Sequence, residues 1–112
     1  MELNVEQLAE HLTRISLVGR WDLQGAATID LRLTSVAGSG RRVILDMAGV
    51  TYLSSMGLRS LVMSAKSAGL KGGKLVLLSP IKNVEEVLKA AGLDQFLPIF
   101  HDLGEATHAV RP

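Results

Sequence analysis

Two short, nearly continuous apolar segments dominate the hydrophobic pattern of the chain, at residues 42–47 and 74–79. Both are rich in Val, Ile or Leu and are bounded by Gly or Pro. Apolar runs of this length are typical of strands that are covered on both faces of a sheet. Residues 14–19 instead alternate apolar and polar side chains, which predicts a half-buried strand. Two weaker segments are residues 2–8, a strand or a helix, and residues 98–100, a short strand.

Helical periodicity separates these strands. Between the two apolar strands, residues 57–68 predict a helix that ends at Gly69, with an apolar stripe of Leu58, Leu61, Val62, Ala65 and Ala68. A second helix is predicted from Pro80, and Gly92 ends it; its core face consists of Ile81, Val84, Val87, Leu88 and Ala91. A last short helix is expected at residues 103–110.

The stretch 22–37 fits two patterns. Ile29, Leu31 and Leu33 alternate with polar residues as in a strand, whereas Ala26, Ile29, Leu33 and Val36 match a helix. The length of the stretch and Asp22, a good N-terminal capping residue, favour the helix. The resulting alternation of strands and helices predicts an α/β sheet with helices packed on it.

The composition and net charge of the chain reduce the number of functional classes to consider. The 112 residues, 47% hydrophobic and 21% charged, suffice for one domain with its own core. A net charge of +1 does not favour binding to nucleic acid or to an anionic membrane surface. No long apolar run suggests insertion into a membrane, and the acidic start of the chain does not resemble a signal peptide. We therefore expect a cytoplasmic protein.

Motifs for catalysis or cofactor binding are missing from the sequence. The chain has no cysteine, and its three histidines lack the spacing of metal ligands. It contains no phosphate-binding loop and no Gly-x-Ser-x-Gly motif, and the glycines of residues 71–74 precede a strand, which predicts a plain turn. We expect no catalytic residue, no cofactor and no metal, and hence a protein that is not an enzyme.

Two adjacent serines, Ser54 and Ser55, stand out between the buried strand at 42–47 and the central helix. A serine in this place commonly caps the helix, because its hydroxyl accepts a hydrogen bond from an amide of the first turn. Capping accounts for one serine but does not require two. Opposite the apolar stripe, the predicted exposed side of the helix carries Met56, Arg59, Ser60, Met63, Lys66 and Ser67.

The two methionines of that side, Met56 and Met63, lie seven residues apart and so nearly on one line of the helix. Methionine is flexible and suits adaptable binding surfaces, so that side of the helix has the character of a docking face. The alternative is that both methionines pack against neighbouring loops. The pattern alone leaves the two interpretations open.

Three segments resemble the STAS family, the domain of bacterial anti-sigma factor antagonists. The first is residues 43–58, where Val-Ile-Leu-Asp leads through a Gly-Val turn and an aromatic residue to the serines and Gly57-Leu58. The second is the Gly-x-x-Asp loop of residues 19–22, and the third is the Gly-Leu-Asp segment within residues 90–100. The resemblance implies a single STAS-like domain over residues 1–112, with a mixed, mostly parallel sheet of about four to five strands flanked by about four helices.

The resemblance also implies a mechanism. An unphosphorylated antagonist binds an anti-sigma factor that is also a serine kinase, phosphorylation of a serine at the start of the central helix releases it, and a serine phosphatase resets it. Aligned on Gly57, the phosphoacceptor is Ser55, with Ser54 as second choice because it stands where well-known antagonists carry Asp. The implied partner-binding residues are Trp21, Asp22, Ser54, Ser55, Met56, Gly57, Arg59, Ser60 and Met63.

Other hypotheses remain at this point. The chain could be a constitutive STAS scaffold, or an accessory subunit of a stress-signalling or lipid-transport complex, that is never phosphorylated. A small α/β enzyme or nucleotide binder is a third hypothesis, for which the sequence offers few candidate side chains. We expect a monomer or a weak dimer.

Overall fold

Five strands and four helices alternate along the chain. The computed structural model describes residues 1–111, so of the predicted domain only Pro112 lies outside the described residues. The elements are β1 (Glu2–Ala9), β2 (Leu12–Trp21), α1 (Leu23–Ala37), β3 (Arg42–Leu53), α2 (Ser55–Leu70), β4 (Lys74–Leu78), α3 (Lys82–Ala90), a 3-10 turn (Leu93–Gln95), β5 (Ile99–Phe100) and α4 (Leu103–Ala109). This order confirms the predicted one. Within residues 1–111, no helix combines the length and the apolar character needed to cross a membrane.

The strands form one sheet in the order β1-β2-β3-β4-β5. The β1 strand runs antiparallel to β2, and every other neighbouring pair is parallel. The mixed, mostly parallel α/β sheet predicted from the sequence is thereby confirmed. Because β2 and β3 are parallel, their carboxyl ends meet at one edge, where Trp21 pairs with Leu53.

Helices cover the two faces of the sheet unequally. Alternate side chains of β3, Val43, Leu45 and Met47, enter one large core together with residues of α1, α2 and α3. Ile44 points to the opposite face, into a smaller core that α4 covers. Burial on both faces explains why residues 42–47 form a continuous apolar run.

The β3 strand is longer than its apolar run. The sequence predicted a strand over residues 42–47 and a Gly-Val turn after it, but pairing with β2 continues through Gly49, Val50 and Tyr52 to Leu53. Two register shifts in the β2–β3 pairing accommodate this extension. Residues 50–52, Val-Thr-Tyr, favour a strand, and pairing with β2 carries β3 through Gly49 to reach them. As a consequence, β3 ends directly beside the end of β2.

The end of α2 and the start of α3 differ from the prediction. The α2 helix continues past Gly69 to Leu70 and has Lys71 as its C-terminal cap, so Gly69 does not end it. The α3 helix begins after Ile81, and Pro80 therefore precedes it. Ile81 is exposed because it lies at the cap position and not on the core face, and Ala91 is exposed beyond the helix end.

The stop predicted at Gly92 is confirmed. Gly92 follows the last residues of α3 with a φ of 74°, a left-handed conformation that glycine adopts without steric cost.

Candidate partner-binding site

The starts of α1 and α2 lie side by side at the carboxyl edge of the sheet. Both helices leave neighbouring strands, β2 and β3, at that edge. The contact between them is direct, because the Ser54 amide donates to the carbonyl of Trp21 at 3.0 Å. The Ser54 hydroxyl donates to the same carbonyl oxygen at 2.7 Å. The last residue of β2 thus fixes the residue from which α2 begins.

Each helix begins with the same capping arrangement. In α1, the Asp22 carboxylate accepts a hydrogen bond from the amide of Gly25 at 2.8 Å. In α2, the Ser54 hydroxyl accepts one from the amide of Gly57 at 3.3 Å. Each bond satisfies an amide that has no partner inside its own helix. The predicted capping roles of Asp22 and of one serine are confirmed, and the capping serine is Ser54.

The two glycines allow each helix to start close to the sheet. A Cβ atom at Gly25 would lie 2.3 Å from the carbonyl oxygen of Arg20. One at Gly57 would lie 2.5 Å from a methyl group of Leu53 and 2.9 Å from the Trp21 ring. Real Cβ contacts are essentially never this short, so a larger residue would push each helix away from its strand.

The two adjacent serines have different surroundings. Ser54 is half-buried and uses its hydroxyl both as a donor and as an acceptor. Ser55 is the first residue of α2 and is exposed. Within residues 1–111, the Ser55 hydroxyl makes no hydrogen bond. Only Ser55 therefore presents a free hydroxyl to a modifying enzyme.

Charges at the start of α1 are already paired. Arg20 lies 3.6 Å from the Asp22 carboxylate and 4.4 Å from the centre of the Tyr52 ring, which is its neighbour across the β2–β3 pairing. The hydrogen bond from the Gly25 amide lowers the pKa of Asp22 below its ordinary value of 3.8, and Arg20 contributes less in the same direction. Asp22 is therefore a fixed negative charge at neutral pH.

The outward side of α2 carries three side chains at intervals of four residues: Ser55, Arg59 and Met63. We name these three residues the α2 face. All three are exposed, and Met63 has 48% of its surface open to solvent. Met56 differs, because it is half-buried and packs against the core. Of the two interpretations of the methionines, docking fits Met63 and packing fits Met56.

Three of the predicted partner-binding residues are not at the surface. Ser60 was expected on the exposed side of α2, but it is only 4% exposed; its hydroxyl lies 2.5 Å from Oδ1 of Asp30 on α1. The Trp21 ring is 0% exposed beneath Gly57, which is itself buried. Ser60 is buried because α1 packs against α2 on that side, and Trp21 because the start of α2 covers it. Exposure for Ser60 was a wrong prediction, and the Trp21 side chain cannot reach a partner from the core.

Three further residues lie at this edge and were not among the predicted partner-binding residues: Leu23, Arg20 and Tyr52. Leu23 is 64% exposed as the first residue of α1, the position that Ser55 occupies in α2. Its place directly after the capping Asp22 is a signal that could have revealed it. The contact of Arg20 with Tyr52 could not be inferred, because it depends on the extension of β3.

No metal site accompanies this edge. In the described part of the chain, residues 1–111, no three His, Asp or Glu side chains come together as metal ligands would. Glu85 of α3 contacts Lys89 of the same helix at 2.9 Å and His101, which follows β5, at 2.8 Å. The hydrogen bond from Lys89 lowers the pKa of Glu85, so Glu85 is charged at neutral pH and forms an ion pair with Lys89.

Comparison with known proteins agrees with this architecture. The family model described as STAS domain matches residues 3–106. The chain belongs to the STAS family. BtrV of Bordetella bronchiseptica, which is named as an anti-sigma factor antagonist, is 31% identical to it over 87 residues, 77% of this chain and 75% of BtrV. The similarity to BtrV covers more than two thirds of each of the two chains.

Solved structures share the fold at lower identity. A Thermotoga maritima protein described as an anti-sigma factor antagonist has a TM-score of 0.87 at 22% identity, covering 98% of this STAS domain and 95% of that chain. The Bacillus protein SpoIIAA in its phosphorylated form has a TM-score of 0.73 at 19% identity, covering 98% and 100%. The fold also occurs inside the murine anion transporter Slc26a9, with a TM-score of 0.77 at 16% identity, covering 89% of this chain and 18% of the transporter.

Proposed function

We propose that this protein is an anti-sigma factor antagonist that binds a kinase-type anti-sigma factor in the cytoplasm while Ser55 is unphosphorylated. The α2 face, Asp22 and Leu23 form the docking surface, and phosphorylation of Ser55 releases the partner. One observation carries the proposal: Ser55 is an exposed hydroxyl at the start of α2, whereas the adjacent Ser54 is occupied as the cap. The similarity to BtrV supports the class of partner.

The fold tolerates a phosphate at Ser55. The amides of Ser54 and Gly57 already have partners, which leaves those of Ser55 and Met56 at the start of the helix. Free amides and the helix dipole both favour an anion at this end. Phosphorylation therefore adds charge without disrupting α2.

A docked partner does not tolerate the same phosphate. A phosphoserine brings a charge of roughly −1.5 to −2 at neutral pH, together with strongly hydrated oxygens. Packed between two proteins, this group must lose its water, and burying a charged group without a new partner costs free energy. The change is local, and the partner dissociates without a rearrangement of the domain.

Binding of the kinase-type anti-sigma factor from the same host tests the proposal by calorimetry. Ser55→Ala should bind like the unmodified protein, and Ser55→Asp should bind at least about 30-fold more weakly, which corresponds to roughly 2 kcal/mol. Gln7→Glu is the matched control, because it adds one negative charge to the exposed β1 strand, away from the carboxyl edge of β2 and β3. This control should bind normally.

Incubation with the kinase and ATP, followed by fragment mass spectrometry, tests the acceptor. One phosphate on Ser55, and none in the Ser55→Ala protein, is the expected result. A phosphate on Ser54 would contradict the assignment, since that hydroxyl is engaged with Trp21. If no phosphate forms and Ser55→Asp still binds, the protein is a constitutive scaffold or subunit, as the occurrence of this fold within a transporter allows.

A further inference from the structure

An unpaired arginine lies one turn beyond Ser55 on α2. Arg59 is exposed, and within residues 1–111 it takes part in no salt bridge. Arg20, a second cation of this edge, is already in contact with Asp22 and Tyr52. Arg59 is therefore free to pair with a new anion on its own helix.

The spacing of Ser55 and Arg59 suits an ion pair. Side chains four residues apart on a helix are neighbours, with Cβ atoms about 5–6 Å apart. Long helical side chains lean toward the N-terminus, over the turn that precedes them, which directs Arg59 toward Ser55. The acidic partner would also be N-terminal to the basic one, the more favourable order.

We propose that Arg59 is the intramolecular counter-ion of phosphoserine at position 55. This inference rests on the proposed function, since it presupposes a phosphate on Ser55. The planar guanidinium can donate two hydrogen bonds to one phosphate group, while the Ser55 and Met56 amides are available to the phosphate from the helix end.

The pair gives phosphorylation a second effect on the docking surface. Before modification, Arg59 projects from the α2 face and can contact an acidic group on a partner. After modification, its guanidinium is bound to the phosphate along the helix. The switch then adds an anion to the surface and at the same time withdraws a cation from it.

No other basic side chain on α2 can take this role. Lys66 follows Ser55 by eleven residues, so it lies about 16 Å farther along the helix axis at 1.5 Å per residue. Lys71 is the cap at the opposite end. Lys66→Gln is therefore a matched control, because it removes one positive charge from the same helix, as Arg59→Gln does.

The test uses protein that carries genetically encoded phosphoserine at position 55, and the second pKa of the phosphate is followed by 31P NMR. An unperturbed value is about 6. A pair of this spacing should make the pKa about 0.2–0.4 unit lower in the protein with Arg59 than in Arg59→Gln. Lys66→Gln should match the parent, and Arg59→Lys should lie between the two. Raising the salt concentration should shrink the difference.

The inference would be overturned if the phosphate had the same pKa in the parent protein and in Arg59→Gln. It would also be overturned if Lys66→Gln raised that pKa as much as Arg59→Gln does. Because the phosphate is installed during translation, the measurement needs neither kinase nor partner. Failure of the proposed function would instead appear as unchanged partner binding by Ser55→Asp. The two failures are thus distinguishable.

Discussion

The starts of α1 and α2 are built alike but carry different charges. Each has a polar cap, Asp22 or Ser54, that accepts from the amide of a glycine three residues later. In each, that glycine allows the helix to approach its strand more closely than a Cβ would permit. The shared features fix the position of the two helix ends, and they engage the side chain of each cap in a hydrogen bond.

The difference lies in the caps and in the residues that follow them. The α1 start has a permanent anion, Asp22, paired with Arg20, and then an apolar residue, Leu23. The α2 start has a neutral cap and then a free hydroxyl, Ser55. One end is therefore constant in charge, while the other can change charge without losing its cap. In the proposed switch, Ser54 keeps the helix cap while Ser55 carries the phosphate.

Replacing the two glycines should have the largest effect on stability. Gly25→Ala places a Cβ against the backbone oxygen of Arg20, which cannot move without distorting β2. Gly57→Ala meets a Leu53 methyl group and the Trp21 ring, of which only the methyl group can move aside easily. We expect each change to lower the free energy of unfolding by about 1–3 kcal/mol, with Gly25→Ala the larger. Urea unfolding at neutral pH measures both.

Gly69→Ala is the matched control, because it also lies in a helix but a Cβ there would meet nothing within 4 Å. Alanine favours a helix more than glycine does, so Gly69→Ala should raise the free energy of unfolding by up to about 1 kcal/mol. A gain in Gly25→Ala or Gly57→Ala similar to that in Gly69→Ala would show that neither close approach matters.

Replacing each serine with alanine tests whether Ser54 has the structural role and Ser55 does not. Ser54→Ala removes the cap and the hydroxyl bond to the Trp21 carbonyl, and should lower the free energy of unfolding by about 1–2 kcal/mol. Ser55→Ala should change it by less than about 0.5 kcal/mol, because the hydroxyl is exposed and unbonded. Thermal and urea unfolding of both variants decide the matter, and equal losses would contradict the assignment of Ser54 as the structural serine.

Much of this edge could be predicted from the sequence. The strands at 42–47 and 74–79, the helix after Asp22 and the capping serine follow from local periodicity and side-chain chemistry, which act within a few residues. The STAS motifs of residues 43–58 identified the family. Local signals thus suffice for the elements and for their order.

Packing between segments that are distant in sequence could not be predicted from these local signals. The extension of β3 depends on pairing with β2, because Gly49 interrupts the apolar run and is typical of a turn. Ser60 has a polar side chain on a helix and was expected at the surface, but α1 packs over it and Asp30 lies within hydrogen-bonding distance of its hydroxyl. The Trp21 ring, next to the family aspartate in sequence, points instead into the core. In each case a distant segment of the chain decides the outcome.

Lowering the pH should affect the stability of the two helix starts differently, and this effect should be smaller than those of the substitutions above. The Gly25 amide, and to a lesser extent Arg20, stabilise the charged form of Asp22 and lower its pKa below 3.8 in the folded state. A lowered folded-state pKa contributes stability that is present above pH 3.8 and is lost as the pH falls through the folded value. Carboxyl 13C NMR should give a pKa below 3.8 for Asp22, and Arg20→Gln should raise it only slightly.

Asp22→Asn supplies the comparison, because Asn caps a helix about as well but cannot titrate. The stability advantage of Asp22 over this variant should shrink as the pH is lowered from 5 toward 2, in urea titrations at each pH. The difference between Ser54→Ala and the unmodified protein should stay constant over the same range, because a hydroxyl cap has no charge to lose. If both differences fell equally with pH, the charge at the start of α1 would not be what separates the two helix ends.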